Sequence, residues 1–189
     1  MSRERSGGRW AWVAGMAFGL TLALAAMPAP SARSQTASVE RFEGAWRYVG
    51  GERDQRGLHA AIDRVVDELD LFTREIARVA IRRSLVPEPT LHVRVRDARH
   101  LSLQLGDWVS HEVELGGAAT QMPGPDGNPT RFRADFDGGR IVTHEDSARG
   151  SRVNQLSLSP DGGHLFMHVR VRAPQLPADI RYALTYRRL

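Results

Sequence analysis

Arg152 and Asn154 alternate with Leu156 and Leu158, and Tyr182 and Tyr186 alternate with Ile180 and Leu184. In an extended chain, residues two apart share a face, so these polar groups project to the same side as their apolar neighbours. A buried guanidinium requires a partner or an anionic group to meet it. A buried tyrosine brings an apolar ring and one hydroxyl. His111 stands in the same relation to Val109 and Val113. An apolar surface carrying a few convergent polar groups is the chemistry of small-molecule binding.

Catalysis has less support. Seven histidines are present, and the pair on one strand face, His164 and His168, would stand about 13 Å apart at 3.3 Å per residue, too far to share a zinc ion. No zinc-protease histidine pair, Gly-x-Ser-x-Gly or phosphate-loop pattern occurs. Glu145 is a lone candidate base. The expectation is a protein that is not an enzyme and holds neither metal nor cofactor.

The elements that position these residues are short strands. Leu91, Val93 and Val95 alternate with His92, Arg94 and Arg96. Leu101, Leu103 and Leu105 repeat the pattern, as do Val109, Val113 and Leu115; then follow Phe132, Ala134 and Phe136, residues 140–146, residues 152–158, Leu165 to Val171, and Ile180 to Tyr186. With Phe42–Gly51, which holds Trp46, Tyr48 and Val49, the count is nine strands, mostly joined by tight turns. GGAATQMPGPDGNP (116–129) reads as a polar loop. Short connections make neighbouring strands antiparallel, and many strands with one apolar face predict a meander closed into a barrel. The absence of βα alternation argues against a parallel sheet.

One segment has a different period. Leu58, Ile62, Val65, Leu69, Phe72, Ile76 and Val79 recur at steps of four and three, which predicts a single helix over about residues 55–86, capped by Asp54 and stopped by Pro87 and Pro89. Ala61, Val66 and Ala80 widen its apolar face beyond a coiled-coil seam. Asp63, Asp67, Glu68, Asp70 and Glu75 oppose a membrane-surface role. The expectation is a helix packed over the sheet as a lid, long enough to overhang it and offer a homodimer contact.

The start of the chain has the layout of a secretory signal peptide over residues 1–34: Arg3, Arg5 and Arg9, an apolar run of 17 residues, then PAPSARSQ with Ala32 and Ser34 before Gln35. The run also meets the lower limit for a membrane-spanning anchor. Cleavage would leave no integral membrane span, a flexible start over 35–41, a barrel domain over 42–189, and an exported (periplasmic or secreted) protein. Residues 1–34 carry four of the 26 basic residues, all arginine, and one of the 22 acids, so the remainder has a net charge of +1. With acids and arginines interspersed, nucleic acid is excluded as a partner. No cysteine is present, so no disulfide assists the core.

The order of these elements resembles the calycin superfamily, and more particularly the fatty-acid-binding proteins. The first strand carries Gly44-Ala45-Trp46, a helical segment follows it, late turns read FDGGRIV (136–142) and PDGGHL (160–165), and the last strand ends in LTY at Leu184–Tyr186. The resemblance implies a lipocalin-like barrel with a cavity beneath a helical lid. It carries over Tyr186, whereas the arginine that grips a carboxylate in the family is here Leu184, which implies a neutral or weakly polar head group. The family lid is two short helices, while no Gly or Pro interrupts 58–86 here. The expected ligand is a small apolar or amphipathic, lipid-like molecule. Its polar end would meet Arg152, Asn154, Tyr182 and Tyr186, and its tail Leu91, Val93, Leu101, Leu103, Phe132, Phe136 and Met167, with His111 a further ligand-binding candidate. The lid would be formed by Leu58, Ile62, Val65, Leu69, Phe72 and Ile76. The alternative reading is a cell-envelope protein–protein interaction or structural module with a filled barrel and an exposed helix face.

Overall fold

A computed structural model describes residues 39–189 apart from 110–111 and 125–126; the leader and His111 lie outside the described residues. The chain runs β1 (Gly44–Tyr48), α1 (Gly51–Val66), α2 (Leu71–Ser84), β2 (Thr90–Asp97), β3 (His100–Leu105), β4 (Trp108–Val109), β5 (Val113–Glu114), β6 (Thr120–Pro123), β7 (Pro129–Asp137), β8 (Arg140–Ser147), β9 (Gly150–Leu158), β10 (His164–Arg172) and β11 (Ile180–Arg188). The strands form one sheet in the order β4-β3-β2-β1-β11-β10-β9-β8-β7-β6, with β5 paired to β3. Pairing between these strands is antiparallel throughout.

First and last strands zip together, Tyr48 opposite Tyr186, so the meander wraps into a nearly closed barrel. At the seam, β5 leads to a parallel bridge between Leu115 and Ala134, and the Gly116 N–H donates to the Ala134 carbonyl at 2.9 Å. The β7–β8 connection is Gly138-Gly139, both at positive φ (55° and 75°). A two-residue hairpin turn with both central residues in that region matches the strand twist, and glycine adopts it without steric cost.

Two expectations are corrected in the strand pattern. The stretch expected as one strand around His111 is two short pieces, β4 and β5, both paired to β3. The 116–129 loop contains β6, which adds a strand to the edge of β7. Val39 and Phe42 are buried, so the fold reaches back into the stretch expected as a flexible start.

The helical segment is also corrected. It is two helices, because Asp70 leaves the helical conformation (φ −60°, ψ 155°) and its carboxylate accepts from the N–H groups of Phe72 and Thr73, both at 3.1 Å. That is an N-cap, and it starts a new helix as effectively as Gly or Pro would end one. Arg74 supports the turn, donating to the carbonyls of Asp67 at 2.7 Å and Leu69 at 3.0 Å, which the end of α1 leaves unpaired.

The first helix starts earlier than expected, and Asp54 does not cap it. Asp54 is buried within α1 and accepts from the Thr185 N–H of β11 at 2.6 Å. That N–H lies just beyond the pairing with β1, so the carboxylate supplies the partner that the short first strand does not. Gly50 makes the approach possible: a Cβ there would lie 1.7 Å from the Asp54 carboxylate.

The core is one cluster lining the barrel and the underside of α1. At the β1 end, Trp46 is fully buried, its Nε1 donates to the Phe42 carbonyl at 3.0 Å, and the Arg188 guanidinium lies 4.2 Å from its ring centroid. Arg188 also donates to the carbonyls of Glu43 and Arg41. A Cβ at Gly44 would come within 3.0 Å of that guanidinium. The Gly-x-Trp spacing is thus the seat for one stacked arginine.

Candidate functional site

Strands β8 and β9 build a polar cluster inside the barrel. In register, Thr143 opposes Asn154 and Glu145 opposes Arg152, all in phase with the buried Ile141 and Leu156. Asn154 joins them: its Oδ1 accepts from Arg152 Nε at 2.8 Å, and its Nδ2 donates to Thr143 Oγ1 at 3.0 Å and to Glu145 Oε1 at 3.2 Å. Asn154 therefore spends its amide on holding Arg152 and Glu145 in fixed orientations.

Tyr182 lies two strands away in the same row, joined through Val169. Tyr186 is fully buried and donates to the Glu88 carbonyl at 3.3 Å. The electrostatics follow from burial. Burial pushes the Glu145 carboxyl above its ordinary value, opposed by the Arg152 charge and the Asn154 hydrogen bond. Burial likewise raises both tyrosine hydroxyls, with Arg152 again pulling the other way. One guanidinium thus faces a carboxyl and two phenols in a low-dielectric setting.

Within this group, three donors are uncommitted. Arg152 makes its only protein hydrogen bond through Nε, and the Tyr182 hydroxyl makes none among the described residues. Two terminal guanidinium nitrogens and one phenol therefore keep N–H and O–H groups with no protein acceptor among the described residues. Donors in such a position need water or a ligand to satisfy them.

Leu91, Val93, Leu101, Leu103, Phe132 and Met167, the expected tail-binding residues, all point inward; none exceeds 4% exposure, and they belong to one buried cluster. Phe136 is half-buried, packs edge-on against Phe42 with ring centroids 6.3 Å apart, and borders a surface cleft of about 600 Å³ at the seam with Arg99, Leu115 and Asp135. A second cleft of about 570 Å³ lies against the outer side of β8–β11, beside Val142, Val153, His168 and Arg170. Arg152 and Asn154 border neither cleft. Among the described residues no three His, Cys, Asp or Glu side chains gather as a metal site.

The lid residues divide at Asp70. Leu58, Ile62 and Val65 are buried beneath α1, and Leu69 is half-buried. Phe72 and Ile76 are corrected: they are 85% and 65% exposed, and no residue of α2 is buried. The second helix is held on the first by ion pairs. Arg78 meets Asp63 at 3.0 Å and Asp67 at 2.9 Å, and Arg82 meets Asp63 at 2.9 Å.

Thr143 and Glu145 are the members of the cluster that the binding-site expectation omitted. They follow Ile141 at steps of two, the same signal that picked out Arg152 and Asn154.

No protein-family model matches the chain, and no curated protein matches it in sequence. Solved structures do. Fatty-acid-binding protein 1 of Echinococcus granulosus superposes with a TM-score of 0.50 at 17% identity, covering 79% of this chain and 98% of that one. A secretary abundant heat soluble (SAHS) protein of Ramazzottius varieornatus gives a TM-score of 0.50 at 9% identity, covering 79% and 96%. At these identities the likeness concerns architecture. The chain shares the fold of these structures, a nearly closed antiparallel barrel with two helices after the first strand.

Proposed function

We propose that the protein is an exported binding protein for a small amphipathic molecule, whose polar head is held in the barrel by Arg152 and Tyr182. The uncommitted donors of those two residues carry the reading. They call for a head group with acceptor oxygens, such as an ester, a carbonyl or a carboxylate. Burying the attached chain would contribute about 0.8 kcal/mol per methylene.

Because the inward side chains are buried in one cluster, uptake requires the barrel wall and lid to part. The lid suits that motion. Its outer helix is held by partly exposed ion pairs, each worth about 1 kcal/mol or less, and elements secured this weakly open at low cost. The reading assigns the protein no catalytic step, and the basic, apolar, small-residue layout of residues 1–34 supports export.

Native mass spectrometry of the protein purified from its own cells tests the reading. A co-purified lipid-like mass, lost from Arg152→Ala, is the expected result; a bare chain that takes up no added lipid would contradict it. The second reading, an envelope interaction module, is favoured by the buried interior side chains together with the outward apolar face of α2.

A further inference from the structure

We propose that Glu145 sets the head-group specificity of this site, so that it selects a neutral head carrying a hydroxyl, such as a monoacylglycerol, over a free carboxylate. The inference rests on the binding reading above and narrows it. Glu145 stands directly opposite Arg152 across β8 and β9, and Asn154 hydrogen-bonds to both. Among the described residues the two side chains are tied through that amide and not to each other. Both charges act on the Tyr182 hydroxyl with opposite sign, Arg152 favouring its ionised form and Glu145 opposing it. The three groups therefore share one electrostatic neighbourhood. On the other side of Glu145, β7 places Phe132, which adds no charge.

Charge decides which head fits. Arg152 alone would attract a carboxylate, because a guanidinium matches it in sign and in shape. With an ionised Glu145 beside it, the charge of the guanidinium is already matched. A second carboxylate would then bring an unmatched negative charge into a setting that water screens poorly. A neutral head brings none.

The hydrogen-bond inventory points the same way. The terminal nitrogens of Arg152 and the Tyr182 hydroxyl are donors without a protein acceptor, and the second carboxylate oxygen of Glu145 is an acceptor without a protein donor among the described residues. None of these atoms is sealed from solvent: among the described residues, the buried side-chain polar atoms left without a partner are the Nε atoms of Arg74 and Arg82, both in α2. A head with acceptor oxygens and a hydroxyl meets both the donors and the acceptor. A carboxylate can only accept, so it meets the donors and sets oxygen against oxygen at Glu145.

Isothermal titration calorimetry at pH 8 with monolaurin, methyl laurate and laurate compares three heads on one acyl tail. The parent protein is expected to bind monolaurin at least tenfold more tightly than laurate, with methyl laurate between them. Glu145→Gln keeps the shape of the side chain and removes its charge. It is expected to cut the monolaurin-to-laurate ratio at least tenfold, chiefly by tightening laurate. Glu145→Leu removes the acceptor as well, and is expected also to erase the preference for monolaurin over methyl laurate. The order of preference in the parent protein is read without any variant having to fold. A parent protein that prefers laurate, or a monolaurin-to-laurate ratio that neither substitution moves, would overturn this inference and leave the binding reading in place. A parent protein that binds none of the three would end both.

Discussion

Arg152 Nε donates to Asn154 Oδ1 at 2.8 Å, and this one bond aims the rest of the guanidinium. Asn154 is itself fixed by Thr143 and Glu145 on the neighbouring strand. The arginine is therefore oriented by its own strand and by β8 together. Replacing Arg152 by Ala should weaken binding of an amphiphile with an acceptor head by about 10- to 100-fold, the effect of a lost charge-assisted hydrogen bond of about 1.5–3 kcal/mol. Asn154→Leu, which leaves the arginine in place but unaimed and strips two partners of their hydrogen bonds, should cost both binding and stability. Titration calorimetry beside thermal melts separates the two effects.

Glu145 gives a pH signature. Burial raises its folded-state pKa above the ordinary 4.5. A carboxyl with a raised folded pKa contributes stability that is fully present below its unfolded value and lost as pH rises through the folded one. Glu145→Gln should therefore raise the melting temperature at pH 7, with the gain shrinking as the pH falls through the raised folded value and gone below about 4.5. A gain of the same size at pH 4 and pH 7 would show that the effect is not ionisation.

Asp54 ties α1 to the barrel through Thr185, so both residues that permit this contact should matter. Asp54→Ala leaves a buried N–H unpaired, at a cost of about 1–3 kcal/mol. Gly50→Ala should cost at least as much, since its Cβ would displace the carboxylate. Denaturant unfolding of the two single variants and the double variant should show that their effects overlap and do not add.

The two lid helices should respond differently to the same kind of change. Ile62→Ala, within the buried face of α1, should cost about 2–5 kcal/mol. Phe72→Asp, on the exposed face of α2, should stay within about 0.5 kcal/mol of the parent. Chemical denaturation of each variant measures both.

The strands and the inward polar residues are legible because period two fixes the face of every residue once the strand is recognised. Arg152 with Asn154, and Tyr182 with Tyr186, follow from that rule alone. Their partners do not, since the opposition of Glu145 to Arg152 depends on hairpin register. The break at Asp70 is hidden from a search for Gly and Pro because a capping carboxylate makes it. The apolar period passes through the break unchanged, yet only its first half is buried: ion pairs from Asp63 and Asp67 turn the second helix outward, and pairing across two helices cannot be read from either one.

The most direct test of the binding reading is an equilibrium titration with a fluorescent acyl ester and the matching acyl carboxylate, run on the parent protein, Arg152→Ala and Tyr182→Phe. The account predicts saturable binding at one site per chain for at least one probe, weakened about 10-fold or more by Arg152→Ala and more modestly by Tyr182→Phe. Failure of both probes to saturate the parent protein would contradict it, as would affinities that neither substitution moves.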